Sequence, residues 1–225
     1  NLTETFEPRG LLIEEARTNS FTKSSNWGGS VFTIQNATSL PSNSLVSPMG
    51  TTGDVYEFAS TTSNTNHQMY GDPITTGSAV TISMFAKSLG SNHDLLLRVS
   101  NIGSPAPCIT YDLDAGKVVG MADGTSGGNW TFSEPILEKY PNGWYRIGYR
   151  NLTINSGNPS LGIKIAPKGN TASNPIFVGS GQPDFALFGR QLEAGSFATS
   201  YIPTSGSAVT RSADIASISG DNFGT

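Results

Sequence analysis

Apolar residues recur at every second position along this chain, in short runs broken by turn sequences, and no stretch keeps a helical period for several turns. Successive side chains of an extended strand point to opposite faces, so period two is the signature of a sheet with distinct faces. Residues 79–87 place Val80, Ile82 and Met84 on one face, with Thr81, Ser83 and then Phe85 on the other. That pattern predicts a strand with one buried face. Residues 94–100 set Leu95, Leu97 and Val99 against Leu96 and Arg98, and residues 144–152 set Tyr145, Ile147 and Tyr149 against Arg146 and Arg150. Further strands are predicted over 31–34, 54–58, 67–70, 108–112, 117–121, 136–139, 161–165, 176–178 and 185–192. Between them stand Asp114-Ala115-Gly116, Asp123-Gly124, Pro141-Asn142-Gly143 and Asn155-Ser156-Gly157-Asn158-Pro159, whose residue types favour tight turns. The best helical candidate, residues 12–17, is short. The expected fold is all-β, a two-sheet antiparallel jelly-roll sandwich; the connecting segments are too short and polar for an α/β arrangement.

A chain of 225 residues suits one such domain with a sizeable core. Residues 1–204 read as the sandwich. Residues 205–225, opening on Ser205-Gly206-Ser207, read as a final edge strand or a linker to a following domain. The start at Asn1 and the end at Asp221-Asn222-Phe223-Gly224-Thr225 suggest a piece of a longer protein. Lys+Arg number 13 against 17 Asp+Glu, a formal net charge of −4, and no basic run occurs. A duplex nucleic acid partner and a polybasic membrane anchor are therefore not expected. No apolar run approaches the roughly 20 residues that span a bilayer. Cys108 is the single cysteine, so no intrachain disulfide forms, and its apolar neighbours predict a buried thiol.

Reactive constellations are sparse. His67 and His93 lack the spacing of a zinc helix. No nucleophile elbow precedes a helix, and no phosphate loop or dinucleotide fingerprint occurs. Glu134 and Glu138 near Trp130 could flank a glycosidic bond, yet they alternate on a strand-like run and read equally well as solvent-facing. A non-catalytic protein with no cofactor is expected. Structural calcium has one candidate cluster, Asp112 and Asp114 with Asp123 nearby, which a plain Asp-Gly turn explains equally well. Arg146 and Glu193 sit in apolar strand context, so Arg17 or Arg146 is expected to pair with Glu14 or Glu193.

Sugar binding asks less of a sequence. An aromatic ring stacks on the C–H face of a pyranose while amides bond its hydroxyl rim. Trp27, in Ser24-Ser25-Asn26-Trp27-Gly28-Gly29, and Trp130, in Ser126-Gly127-Gly128-Asn129-Trp130, sit in polar, glycine-rich surroundings. With Tyr70, Gln68 and Asn129 they form the candidate ligand-binding set. The alternative for each tryptophan is a plug tucked into the end of the sandwich.

Several strings occur in a telling order: Gly10-Leu11-Leu12-Ile13-Glu14-Glu15-Ala16-Arg17-Thr18-Asn19, then Ser83-Met84-Phe85-Ala86-Lys87, Tyr111-Asp112-Leu113-Asp114-Ala115-Gly116 and Asn142-Gly143-Trp144-Tyr145-Arg146-Ile147. They end with Phe188-Gly189-Arg190-Gln191-Leu192-Glu193-Ala194-Gly195 and Ser200-Tyr201-Ile202-Pro203-Thr204. Together they cover roughly residues 10–214. In this order the chain resembles a module of bacteriophage tail and fibre proteins, similar to carbohydrate-binding modules and to concanavalin-like or laminin-G-like sandwiches. The resemblance implies a virion or extracellular setting, a bacterial surface glycan as ligand, other virion subunits as partners, and a homo-oligomer such as a trimer. A lack of disulfides fits a virion part folded in bacterial cytoplasm. Two rival expectations are a structural or decoration domain without glycan binding, and a polysaccharide-degrading sandwich enzyme. Fold analogy alone does not choose among them.

Overall fold

The computed structural model of the protein describes residues 12–102, 106–122 and 126–216. Extended backbone must find partners for its N–H and C=O groups in neighbouring strands, and here every strand pair is antiparallel. A six-stranded sheet runs, edge to edge, β10 (Lys117–Ala122), β9 (Cys108–Asp112), β8 (His93–Ser100), β15 (Ser160–Pro167), β6 (His67–Pro73) and β2 (Phe32–Gln35). An eight-stranded sheet runs β11 (Ser126–Gly127), β12 (Trp130–Thr131), β14 (Trp144–Ile154), β7 (Val80–Ser88), β17 (Pro183–Ala194), β4 (Val55–Ser60) and β3 (Ala37–Ser42), with β13 (Glu134–Lys139) also paired to β14. Two ribbons complete the described strands: β1 (Arg17–Asn19) with β18 (Val209–Arg211), and β5 (Asn64–Thr65) with β16 (Phe177–Val178).

The expected all-β, two-sheet antiparallel sandwich is the observed architecture. The chain crosses between sheets from β6 to β7 to β8 and from β14 to β15 to β17. Period two then delivers alternate residues to one shared core. Met69, Leu95, Leu97, Val99 and Ile163 come from the six-stranded sheet, and Ile82, Met84, Ile147, Leu152 and Leu187 from the eight-stranded one. Each such side chain, fully buried, contributes about 1.5–3 kcal/mol.

Residues 12–17 form no helix: 12–16 are irregular and Arg17 begins β1. The single buried face predicted for 79–87 is also corrected, because β7 is central in its sheet and buried on both sides. Phe85, with Val55, Trp144, Ala186 and Phe188, forms a second apolar cluster on the outer face, against Tyr140, Tyr201 and Leu45. Strand β3 was not expected. Its sequence Ala-Thr-Ser-Leu-Pro-Ser lacks a core face, and it lies at the sheet edge, where Pro41 leaves no ladder bond unmade.

A polar seam closes one side of the sandwich, and the strings near residues 190 and 202 build it. Between Phe188 and Gln191, β17 advances three residues while β7 advances two, which is a β-bulge. Gly189 sits there at φ +50, with the Tyr201 ring so near that a Cβ would stand 3.1 Å from it. The bulge turns Arg190 inward, fully buried. Its guanidinium pairs with Asp72, donates to the carbonyl of Asn26 at 2.7 Å, and lies 4.8 and 4.9 Å from the ring centres of Trp27 and Phe32. Buried Asn19 donates to the carbonyl of Ile202 at 2.8 Å and accepts from the amides of Phe21 and Leu192 at 3.1 Å each. Gln191 accepts from the Ile202 amide at 2.6 Å, while Glu193 accepts from the Thr199 amide at 3.1 Å and from the Thr199 hydroxyl at 2.5 Å.

The expected pairing of Arg17 or Arg146 with Glu14 or Glu193 does not occur. Arg17 pairs with Glu15 at 2.5 Å, Glu14 pairs with Arg211, and Arg146 donates to the Ser83 hydroxyl at 2.9 Å. Glu193 meets donors from its own following loop, six residues away, which satisfies it without a cation.

Two tyrosines cross the core in opposite directions. Tyr111, on β9, donates to the carbonyl of Gly148 on β14 at 2.8 Å, and Tyr149, on β14, reaches the carbonyls of Leu97 and Pro107 at 2.7 and 3.0 Å. Both hydroxyls are buried, and burial pushes both phenols far above their ordinary pKa, keeping them protonated donors. Tyr149→Phe removes one bridge while keeping the ring. It should cost about 1–2 kcal/mol, read as a lower urea midpoint with an unchanged denaturant slope; an unchanged midpoint would show that the bridge does not hold the sheets.

Candidate functional site

The outer face of the eight-stranded sheet is covered by its second apolar cluster. On the six-stranded sheet the outward set is fixed by the same alternation that fills the core: Gln35 on β2, Gln68 and Tyr70 on β6, Lys164 on β15, and Arg98 and Ser100 on β8. Part of this face is roofed by the loop over 168–176. Asn174 accepts from the Lys164 ammonium at 2.5 Å, and Leu96, Cys108 and Ala166 make a small buried cluster. The expected burial of Cys108 is thus observed.

The remainder is open. Gln35, Gln68, Tyr70, Arg98, Ser100 and Asn101 line a groove of about 220 Å³. It runs into a cleft of about 680 Å³ that shares Tyr70 and Asn101 and adds Thr33, Asp72, Asn158 and Ser160. Gln68 donates to the Gln35 side-chain carbonyl at 2.6 Å, and Gln35 donates to the Tyr70 hydroxyl at 3.3 Å. Gly162 pairs with Tyr70 on one side and Arg98 on the other. A Cβ at Gly162 would stand 2.4 Å from the Ser100 hydroxyl, so glycine keeps the row low between ring and guanidinium. The result is a half-buried aromatic ring beside amides, a hydroxyl and one cation: donors and acceptors for a hydroxyl rim, with an apolar surface for a ring.

Of the five ligand-binding candidates, Tyr70 and Gln68 lie together in this groove. Trp27 and Trp130 are corrected: they are 0% and 1% exposed, so neither offers a face to a sugar. Trp27 stacks on Phe32 at 5.4 Å and is held by Arg190; Trp130 stacks on Phe132 at 5.9 Å. Both serve as the plugs that polar flanking sequence disguised. Asn129 stands apart from the groove, braced to the next turn, where it donates to the Ser156 carbonyl at 2.9 Å and accepts from the Ser156 hydroxyl at 3.0 Å. Gln35, Arg98, Ser100 and Asn101 escaped sequence reasoning. Their signal was the non-core face of each strand, which becomes one surface only once strand order is known.

Elsewhere the titratable groups are tied to one another. Glu134 and Glu138 both face Arg150, at 3.4 and 3.0 Å, on one exposed ladder. His93 contacts the buried Asp184 carboxylate at 2.7 Å, and the Ser180 hydroxyl bonds that carboxylate at 3.4 Å; among the described residues no serine is bonded to His93. Burial pushes the Asp184 carboxyl up, but the bonds from His93 and Ser60 outweigh it and hold it below the usual value. Among the described residues no group of three or more His, Cys, Asp or Glu is arranged to hold a metal. At the calcium candidates the Lys168 ammonium bonds Asp112 at 2.6 Å and Asp114 at 2.8 Å and lies 3.5 Å from Asp94, so a protein cation meets their charge. Asp123 lies outside the described residues. Among the described residues no helix is long and apolar enough to cross a membrane.

No protein-family model matches the chain, and no curated protein is similar enough in sequence to count as a relative.

Lys168 sets an acid response. Burial alone would raise the carboxyls of Asp112 and Asp114, but their bonds from Lys168 outweigh it and hold both below the ordinary value. Asp94 is raised, burial winning over the Gly169 amide and Lys168, so it works in the opposite direction. A depressed carboxyl gives stability that is complete above its unfolded value near 4 and is lost as pH falls through the folded value. Unfolding free energy should therefore fall as pH drops below about 4. Lys168→Met should lower stability at pH 7 and flatten that acid loss, leaving the shares due to Asp184 and Glu14, whose carboxyls are held down by other partners. Urea titrations at pH 7 and pH 3 check this, and equal acid slopes in the two proteins would contradict it.

Proposed function

We propose that the chain is a non-catalytic glycan-binding module of a bacteriophage tail fibre or other virion surface protein, recognising bacterial surface polysaccharide. Its sandwich, on this reading, is a jelly roll of the carbohydrate-binding kind. The observation that carries the proposal is the open groove on the six-stranded sheet, where Tyr70 stands beside Gln35, Gln68, Arg98, Ser100 and Asn101. A sugar needs an apolar platform and a fixed set of polar groups, and rigid strands hold both here. The order of strings from residue 10 to 214 supports the virion setting. The engagement of Glu134 and Glu138 by Arg150, and of Asp184 by His93, supports a binding rather than a hydrolytic role.

A structural role is the second reading. It is favoured by the burial of Trp27 and Trp130 and by Ile176 and Val178, which flank Phe177 with 65% and 63% of their surface exposed. Such apolar surface fits contact with other virion subunits or self-association, including a trimer.

Electrophoresis of the purified protein through gels containing bacterial surface polysaccharides separates the two. The glycan reading expects retardation that Tyr70→Ala weakens by about tenfold, a loss of about 1.4 kcal/mol, and that Trp130→Phe leaves unchanged. No retardation by any polysaccharide, with a mass that rises with concentration in sedimentation, would move the assignment to the structural role.

A further inference from the structure

Arg98 is the anomaly of the open face. It projects from β8 into the groove, and among the described residues its guanidinium forms no ion pair and no side-chain hydrogen bond; its Nε is buried without a partner. Other arginines are matched by carboxylates: Arg17 by Glu15, Arg150 by Glu134 and Glu138, Arg190 by Asp72, Arg211 by Glu14. Arg146 has the Ser83 hydroxyl and the Phe85 ring. No carboxylate lines the groove. The adjoining cleft has one, Asp72, and Arg190 already neutralises it. A partly buried cation without a counter-charge is costly in a folded protein, and it is a recurrent device for fixing an oxyanion by paired N–H donors.

The neighbourhood deepens the positive potential. Lys164 lies on the adjacent strand, two residues beyond the Gly162 that pairs with Arg98, and is itself buried. Burial first, and then the charge of Arg98, push the Lys164 ammonium down to about 8, so the two groups feel each other through a poorly screened medium. Both stand on a protein whose formal net charge is −4.

We infer that the groove takes an anionic glycan, one whose repeating unit carries an oxyanion that Arg98 binds while Tyr70, Gln68 and Gln35 contact the sugar ring. The inference rests on the glycan-binding reading of the same groove and adds the charge of its ligand. A uronate carboxylate and a phosphodiester share the chemistry Arg98 would recognise: two oxygens bearing negative charge, spaced to meet a guanidinium edge.

The test measures binding of the full chain, by calorimetry at low and moderate salt, to three polymers: polygalacturonate, a phosphomannan whose hexose rings are joined through phosphodiesters, and uncharged dextran. It is repeated with Arg98→Gln, Arg98→Lys and Tyr70→Ala, each checked for native thermal unfolding. The inference expects an acidic polymer to bind and dextran not to. It expects Arg98→Gln to weaken binding by about tenfold or more, Arg98→Lys to weaken it less, and added salt to weaken the wild type. Preference for polygalacturonate or for the phosphate polymer identifies the oxyanion. Should Arg98→Gln fail to fold, carboxyl-reduced polygalacturonate replaces it, and loss of binding to the reduced polymer is the expected result. Equal binding of dextran, with Arg98→Gln unaffected and Tyr70→Ala impaired, would overturn the anionic inference and leave the glycan reading standing. Absence of binding to all three would overturn both.

Discussion

The guanidinium of Arg190 is the interaction on which the arrangement of this protein turns. A buried arginine survives only if its charge is paired and its N–H groups are met. Asp72 supplies the charge and the Asn26 carbonyl one of the acceptors, while Trp27 and Phe32 give it aromatic faces. Arg190 and these partners come from four places in the chain: the bulge of β17 for Arg190 itself, and the end of β6, the loop over 20–28 and β2 for its partners. One side chain thus ties the eight-stranded sheet to the rim of the six-stranded one. Burial lowers the pKa of the Arg190 guanidinium, and the Asp72 charge works against that shift.

The consequences run outward from this point. Trp27 is drawn into the core and lost to any ligand. Asp72, committed to Arg190, leaves the cleft beside it without a free carboxylate. Asn19, Gln191 and Glu193 pin the segments before and after the sandwich to β17, Thr204 ties those segments to each other at the Phe21 carbonyl, and Tyr201 comes to rest on the bulge and on Phe85 and Phe188. That closes the outer face of the eight-stranded sheet. The six-stranded sheet keeps part of its outer face open, beside the region roofed by the loop over 168–176, and the groove lies there.

Much of the fold was legible in the sequence because period two is a local property. Cys108–Asp112 was bounded correctly at both ends, and His93–Ser100 and Val80–Ser88 within a residue. What failed was whatever depends on strand order. Thr81 and Ser83 looked solvent-facing, yet they are buried because β7 lies between β14 and β17 under a second apolar layer. The site was legible only in part. Tyr70 and Gln68 share one strand, so a single run revealed both; Gln35 and Arg98 join them only through β2-β6-β15-β8 adjacency. Trp27 and Trp130 misled because glycine and serine around an aromatic signal a loop without saying which way the ring turns. The strings that carry the resemblance are chiefly structural: Arg190, Gln191 and Glu193 each satisfy a buried polar partner rather than a ligand.

The sandwich internalises its tryptophans and leaves an amide-lined groove open on one face, and the proposed glycan-binding function puts recognition on strands rather than at loop tips. Rigid strands hold polar groups at fixed spacing with little entropy left to lose on binding. The most direct measurement of that placement is amide and side-chain NMR shift mapping during titration with oligosaccharides cut from a bacterial surface polysaccharide. Perturbations should centre on Gln35, Gln68, Tyr70, Arg98 and Ser100, with the indole signals of Trp27 and Trp130 unmoved. Perturbations centred on Asn129, Trp130 and Ser156, with the groove silent, would contradict the account.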